Sequence, residues 1–135
     1  MNPNCIFCKI VDGKTETVIE FENEEIVIFK DIKPASDYHF LAVSKVHIDN
    51  VKSLKVEDKP LIVNMEISLK EHIKSKGVDE SDSLFGFHWP PFNSVKHLHM
   101  HGIAPVSKMS VLTKMVYKPG SPWFSTSEYA QNWLK

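Results

Sequence analysis

The sequence has little cysteine and lacks any long apolar run. No stretch approaches the roughly 18 apolar residues of a membrane helix, and the N-terminal segment lacks the apolar core of a signal peptide. We therefore expect an intracellular protein, cytoplasmic and in addition nuclear, without a membrane partner. Its two cysteines, Cys5 and Cys8, lie three positions apart. In a reducing compartment this spacing favours metal binding or redox chemistry over a structural disulfide.

An excess of one charge sign is also absent. Sixteen basic residues stand against seventeen acidic ones, the formal net charge is −1, and the signs alternate without forming a tail or a stripe. Sustained binding to nucleic acid would need a local basic patch that the sequence does not show. Repeats, low-complexity stretches and a Pro/Gly-rich linker are absent as well. With 42% hydrophobic residues, the chain is expected to form one domain over residues 1–135.

The apolar periodicity predicts an α+β protein with a sheet of about five strands. Apolar residues recur at helical spacing from Asp58 to Lys76, with Asp58 as the N-cap and Gly77 closing the helix. The last third of the chain reads as irregular until a short helix from about Ser127 to Leu134. The expected strands are VIEF and EIVIFKDI, which form a hairpin within Thr17–Ile32, then His39–Lys45, Ser83–Trp89 and Val95–Ala104.

Three of the seven histidines occupy alternate positions. Since alternate side chains of a strand share a face, His97, His99 and His101 are expected to line one side while Leu98 and Met100 pack on the other. Such a row is costly for structure alone. It leaves two chemical interpretations, a metal site and a nucleophilic imidazole held between two neighbours.

The run HLHMHGI resembles the signature of the histidine triad family, in which three histidines alternate with apolar residues. FKDIKPASDYHFLAVSKVHI resembles its nucleotide-binding strands and CIFCKI its N-terminal turn, so the likeness covers most of residues 5–105. GFHWPPFNSVKHLHMH and LTKMVYKPGSPWF are most similar to the third subgroup of histidine triad nucleotide-binding proteins, with aprataxin a more distant relative. The resemblance implies the histidine triad fold, with a core at 5–105 and a tail at 106–135.

The resemblance also implies an enzyme that cleaves P–N or mixed-anhydride bonds on AMP without a catalytic cofactor. His99 would be the nucleophile that forms a nucleotidyl-histidine, His101 would bind the phosphate oxygens, and Ser94 would contact the phosphate and the leaving group. The residues implied to bind the nucleotide are Asp31 at the ribose hydroxyls, Phe7, Phe29 and Ile32 around the purine, and Asn93, Ser94, His99 and His101 near the phosphate.

A structural zinc is implied at the N-terminal cysteines. Two thiolates at this spacing can reach one tetrahedral ion, and superfamily members with the pair complete the site with two histidines. The corresponding residues here are His47 and His97, added to Cys5 and Cys8. The alternative is two thiols without a metal.

Several positions depart from the family pattern or stay open. Gly102 replaces an apolar residue, and the segment Phe87–Phe92 replaces a glycine-rich loop, so a leaving-group preference cannot be transferred. His88 is a substrate contact or a surface residue, the role of His39 is open, and Trp123 resembles a residue that implies a homodimer.

Three rival functions remain. The first is an AMP-binding interaction module with vestigial catalysis. The second is removal of AMP from DNA ends as in aprataxin, which the lack of a Cys/His finger and of a basic stripe disfavours. The third makes the histidine triad itself a catalytic metal site.

Overall fold

The computed structural model of the chain describes residues 3–134, so residues 1, 2 and 135, the ends of the expected domain, lie outside the described residues. In the described part of the chain, six strands form one antiparallel sheet in the order β1-β2-β3-β5-β4-β6. The predicted α+β class is confirmed, with one strand more than the five expected. The strands are β1 Phe21–Glu22, β2 Ile26–Lys30, β3 Tyr38–Ser44, β4 Leu84–His88, β5 His99–Ala104 and β6 Phe124–Thr126.

Within residues 3–134, four α-helices accompany the sheet: α1 Ile6–Val11, α2 Lys59–Lys74, α3 Val111–Val116 and α4 Ser127–Trp133. Short 3₁₀ turns span Val51–Ser53, Val56–Asp58, Glu80–Asp82 and Val106–Lys108. None of the helices in the described part of the chain is long and apolar enough to cross a membrane.

The predicted hairpin forms between β1 and β2, with Phe21 opposite Ile28. Its turn is fixed by Asn23, whose side-chain oxygen accepts hydrogen bonds from the backbone N–H groups of Glu25 and Ile26 at 3.0 and 3.1 Å. Strand β1 is shorter than the predicted segment VIEF and begins later in the sequence. Of the four predicted residues only the last, Phe21, lies within β1.

The central helix α2 closely matches the prediction. Asp58 precedes it as the N-cap residue, and Gly77 adopts the left-handed conformation with φ of 82°. The Asp58 carboxylate does not cap the helix, however. It accepts a hydrogen bond from the backbone N–H of Lys55 at 2.9 Å and so stabilises the preceding 3₁₀ turn.

Strand alternation separates two apolar clusters on the two faces of the sheet. Ile28 of β2, Phe40 of β3 and Met100 of β5 face α2 and form the main core with its buried residues Met65 and Leu69. The neighbouring residues of the same strands point to the opposite face. There Val27, Phe29, Leu41 and Val43 form a second cluster with Cys5, Phe7, Cys8 and Ile10 of the N-terminal segment. This second face carries the candidate site.

The C-terminal third is more ordered than the sequence suggested. The expectation of irregular chain is wrong for α3 and β6, whereas the predicted terminal helix is confirmed as α4. Six-residue α3 is preceded by the N-cap residue Ser110, whose hydroxyl accepts from the Thr113 N–H, and β6 pairs with β4. Both elements are too short to show a period in the sequence, since they depend on tertiary contacts. The strand predicted over Val95–Ala104 begins only at His99.

Candidate active site

A cavity of about 420 Å³ opens on the face of the sheet opposite α2. The structure brings seven of the predicted nucleotide and catalytic residues to its wall, which are Phe7, Phe29, Asp31, Ile32, Ser94, His99 and His101. Sequence reasoning missed further wall residues, namely Ile6, Ile10, Thr15, Thr17, Lys30, Lys33, Leu41 and Val95. Most of the missed residues are apolar or lie in the loop between α1 and β1, where no spacing marks a binding role.

One end of the cavity is an apolar slot. Phe7 and Phe29 are buried and meet edge to face, with ring centroids 5.5 Å apart. Ile32 is 92% exposed and stands at the rim. A flat aromatic ligand entering between the phenyl rings and Ile32 would cover this exposed apolar surface.

The other end is polar. One oxygen of Asp31 accepts from the backbone N–H of Lys33 at 2.8 Å, and the other lies 3.4 Å from Nε2 of His39. Ser94 is exposed beside His99 and His101. Asn93 is not part of the cavity wall, since its amide donates to the carbonyl of Val95 at 3.3 Å.

The tautomer of His99 follows from its hydrogen bond. Its Nδ1 lies 2.7 Å from the carbonyl oxygen of His97, which can only accept, so Nδ1 carries the proton. The lone pair of the neutral ring is then on Nε2. Burial lowers the pKa of His99 to about 4, against a smaller opposing effect of that backbone hydrogen bond. His99 is therefore neutral, and Nε2 unprotonated, at pH 7.

A chain of hydrogen bonds sets the proton of His101. The backbone N–H of Ala35 donates to Nδ1 of His39 at 2.9 Å, so the proton of His39 is on Nε2. That proton is donated to Nδ1 of His101 at 2.8 Å, which places the proton of His101 on its own Nε2. Burial lowers the pKa of both rings and keeps them neutral. His39, whose role the sequence left open, thus orients His101.

Nε2 of His101 is a buried N–H donor without an acceptor among the described residues. Leaving such a donor unsatisfied costs about 1–3 kcal/mol. An anionic oxygen bound in the cavity beside His101 would supply the acceptor.

Tyr117, which sequence reasoning missed, covers the same pair of imidazoles. Its ring centroid lies 5.3 Å from that of His101 and 5.4 Å from that of His39. His88 is the third neighbour, with its ring 5.1 Å from His101 and its Nε2 donating to the carbonyl of Val116 at 2.9 Å. His88 therefore anchors the C-terminal end of α3 on the site. No regular spacing in the sequence marks Tyr117 for this position.

The first triad histidine has a different environment. Nδ1 of His97 lies 3.3 Å from Sγ of Cys5 and 3.5 Å from Sγ of Cys8, and Nδ1 of His47 lies 3.2 Å from Sγ of Cys8. The four ligand atoms lie within 4.8 Å of one another. In a tetrahedral zinc site neighbouring sulfur and nitrogen ligands stand about 3.5 Å apart. The predicted set of Cys5, Cys8, His47 and His97 therefore fits a metal ion.

The outer contacts of this cluster support the same interpretation. Nε2 of His97 donates to the carbonyl of Ser44 at 2.6 Å, and Nε2 of His47 donates to the carboxylate of Asp49 at 2.9 Å. Both protons are thereby held on Nε2, so both Nδ1 atoms offer lone pairs to the site. Such orienting partners are typical of histidine ligands to metals.

The triad does not converge on a single metal site. His97 joins the cysteines, whereas His99 belongs to neither of the candidate ligand groups among residues 3–134. The second group, Asp31, His39 and His101, is held by the hydrogen bond between the two rings, in which one nitrogen carries a proton. The geometry therefore opposes the interpretation of the triad as a catalytic metal centre.

Comparison with known families agrees with this geometry. A family model described as "Scavenger mRNA decapping enzyme C-term binding" matches residues 4–117. The chain is also 43% identical, over 93% of its length and 78% of the relative, to the adenosine 5′-monophosphoramidase HINT3 of Mus musculus. The chain belongs to the histidine triad family. The resemblance found in the sequence, including its closeness to the third subgroup, is confirmed.

Other histidine triad relatives and structures are similar over most of the chain. The bifunctional adenosine 5′-phosphosulfate phosphorylase/adenylylsulfatase HINT4 of Arabidopsis thaliana is 41% identical over 77% of this chain and 72% of its own. A HIT family hydrolase from Clostridium thermocellum superposes with a TM-score of 0.71 at 28% identity, covering 76% of this chain and 91% of the other. The predicted histidine triad fold and the assignment as a hydrolase are confirmed.

Proposed function

We propose that the protein hydrolyses conjugates of AMP, cleaving a P–N or mixed-anhydride bond through a covalent nucleotidyl-histidine at His99. The observation that carries the proposal is the 2.7 Å hydrogen bond from Nδ1 of His99 to the carbonyl of His97. It leaves the Nε2 lone pair of a neutral imidazole at the wall of a cavity large enough for a nucleotide.

The two ends of the cavity suit the two ends of a nucleotide. The apolar slot beside Phe7 and Phe29 matches the faces of a purine, with Ile32 closing over it. The Asp31 carboxylate lines the same cavity, 3.4 Å from Nε2 of His39, and can accept from both ribose hydroxyls. The phosphate then stands near Ser94, His99 and His101. Asn93 lies outside the cavity wall and its side-chain amide donates to the carbonyl of Val95, so its contact with the nucleotide stays a prediction.

The reaction has two balanced steps. Nε2 of His99 attacks the α-phosphorus, and the bond from phosphorus to the leaving nitrogen or oxygen breaks with its electron pair. An amine leaving group takes a proton from solvent, whereas an acyl group leaves as the carboxylate. Water then attacks the phosphorus and gives one proton to solvent, the bond to Nε2 breaks, and AMP is released. Nε2–H of His101 donates to a phosphate oxygen in both steps, which satisfies its buried N–H and stabilises developing negative charge. The hydroxyl of Ser94 assists at the phosphate and the leaving group.

The chemistry needs no catalytic cofactor in this scheme. Cys5, Cys8, His47 and His97 would hold a zinc ion as a closed set of four ligands. Such an ion would act as a structural cross-link between the N-terminal segment and the strands. The ring of His97 would then bind the metal, while the backbone carbonyl of His97 accepts the hydrogen bond from Nδ1 of His99.

Other parts of the proposal concern the whole protein. The following stay predictions: a homodimer, a cytoplasmic and nuclear location, a single domain over residues 1–135 and the absence of a nucleic-acid partner. Trp123, from which the dimer was expected, donates its indole N–H to the carbonyl of Met115 in the same chain at 2.8 Å.

The test is turnover of adenosine 5′-monophosphoramidate combined with AMP binding. His99→Ala is expected to bind AMP but to lose at least about 10³-fold in kcat, because the nucleophile is gone. His72→Ala is the matched histidine control, since His72 lies on α2 and pairs with Glu20 outside the cavity. Normal turnover by His99→Ala contradicts the proposal. AMP binding by a wild-type protein that never cleaves the conjugate would instead favour the interaction module.

A further inference from the structure

The helix α1 links the cysteine–histidine cluster to the nucleotide cavity. It has only six residues, Ile6–Val11, and an isolated helix of this length is not stable in water. Three of the six residues, Ile6, Phe7 and Ile10, line the cavity. The position of this wall therefore depends on what fastens α1 to the sheet.

The two cysteines are the fastening points at the start of the helix. Cys5 is the N-cap residue, and its sulfur accepts from the backbone N–H of Cys8 at 3.4 Å. Both sulfurs lie close to Nδ1 of His97, at 3.3 and 3.5 Å, although His97 is distant from them in the sequence. Phe7 lies between the cysteines in sequence, and its ring is 6.0 Å from the ring of His97, 5.5 Å from Phe29 and 5.0 Å from His99. One phenyl ring thus contacts a metal-ligand residue, the apolar slot and the nucleophile.

We propose that metal binding at Cys5, Cys8, His47 and His97 and purine binding in the cavity are thermodynamically coupled through α1 and Phe7. The coupling deepens the proposed function, since it assumes that the slot takes the base of the nucleotide. Ligation of both thiolates fixes the first turn of α1 and with it the Phe7 ring, so the loaded protein has a preformed slot. Without the metal, part of the binding free energy of the nucleotide must order α1.

Coupling of this kind is reciprocal. If the metal raises the affinity for AMP by a given factor, AMP raises the affinity for the metal by the same factor. An ion that leaves the cavity wall of the folded protein unchanged would give a factor of one in both directions, so a factor different from one is what distinguishes the coupling. Ribose 5-phosphate, which lacks the base, should bind equally well with and without the metal.

Calorimetry on the zinc-loaded, chelator-stripped and reloaded wild-type protein tests the proposal. Stripping is expected to weaken AMP binding by at least about fivefold, to leave ribose 5-phosphate binding unchanged, and to be reversed by zinc. Competition with a chromogenic chelator should show the same factor for zinc affinity with and without AMP. Equal AMP affinity of the loaded and stripped proteins overturns the coupling, and so does global unfolding of the stripped protein, seen as loss of circular dichroism.

Variants separate the coupling from the proposed function. Cys8→Ser should behave like the stripped protein, and Phe7→Ala should bind AMP weakly with no dependence on zinc. Lys9→Ser changes an exposed residue of the same helix and should keep the wild-type coupling. Failure of the loaded wild-type protein to bind AMP would contradict the proposed function. AMP binding that ignores the metal would contradict the coupling alone.

Discussion

At the scale of single residues, burial and fixed hydrogen bonds prepare the imidazoles for chemistry. The cavity opposes protonation, so His99 has a pKa of about 4 and stays neutral, while carbonyl and amide partners decide which nitrogen carries each proton. Ala35, His39 and His101 form one directed chain of donors that ends in an unsatisfied N–H. The proton positions thus follow from the backbone around the rings.

Tyr117 is expected to matter through its ring. Tyr117→Ala removes the contact that covers His101 and His39, so water reaches the pair and its orientation loosens. We predict a fall in kcat of about 10- to 100-fold, measured with adenosine 5′-monophosphoramidate. Tyr117→Phe should keep nearly full activity, because the contacts of Tyr117 are ring contacts.

Leu112→Ala provides the control for this prediction, since Leu112 lies on α3, the helix that directly precedes Tyr117, and is 78% exposed. An unchanged kcat in Tyr117→Ala would exclude a positioning role for Tyr117. Equal losses in the Ala and Phe variants would assign the effect to the hydroxyl.

The sequence predicted many of the residues that line the cavity, but for different reasons at different residues. Alternation alone placed His99 and His101 on one face, and the resemblance supplied Asp31, Phe7 and Phe29. Neither could locate Tyr117, whose place depends on how α3 folds back over the sheet. The histidine tautomers could not be predicted from the sequence either, since they follow from backbone groups such as the N–H of Ala35.

At the scale of elements, β6 holds the C-terminal part of the chain against the site. It pairs with β4, and Phe124 of β6 packs on His88 and Tyr117 with ring centroids 5.1 and 5.6 Å apart. The close approach of the two strands requires Gly86, because a Cβ there would meet the carbonyl oxygen of Ser125 and the ring of Phe124.

Gly86→Ala is therefore predicted to displace β6. We expect a loss of about 1–3 kcal/mol in the free energy of unfolding, measured by urea denaturation, together with lower kcat because Phe124 and Tyr117 move from His101. Gly120→Ala serves as a comparison for backbone strain without a steric clash. Its φ is 80°, and among residues 3–134 no heavy atom beyond its chain neighbours lies within 4 Å of a Cβ built there. Wild-type stability and activity in Gly86→Ala would show that β6 does not hold the site.

Long elements were predictable from the sequence and short ones were not. Sixteen-residue α2 shows its buried stripe at helical spacing, whereas β6 has three residues and draws its stability from β4 and from Trp89, whose indole N–H donates to Ser125. Likewise, β5 starts at His99 because the chain at His97 turns toward the cysteines. A tertiary contact ended the strand where the sequence pattern continued.

At the scale of the whole molecule, the two faces of the sheet have different roles. The face toward α2 holds the main apolar core, and the opposite face carries both the cavity and the cysteine–histidine cluster, joined by α1 and by His97. Family membership predicted this architecture correctly because the fold is shared over most of the chain.

The central claim is that this architecture delivers one unprotonated imidazole nitrogen to a bound phosphate. The most direct measurement is a rapid-quench single turnover with phosphorus-labelled adenosine 5′-monophosphoramidate, followed by mapping of protein-bound label. The account predicts an acid-labile phosphorus label on the peptide that carries His99, formed before AMP is released and absent from His99→Ala. AMP formation without label ever passing through the protein, or label on another residue, would contradict it.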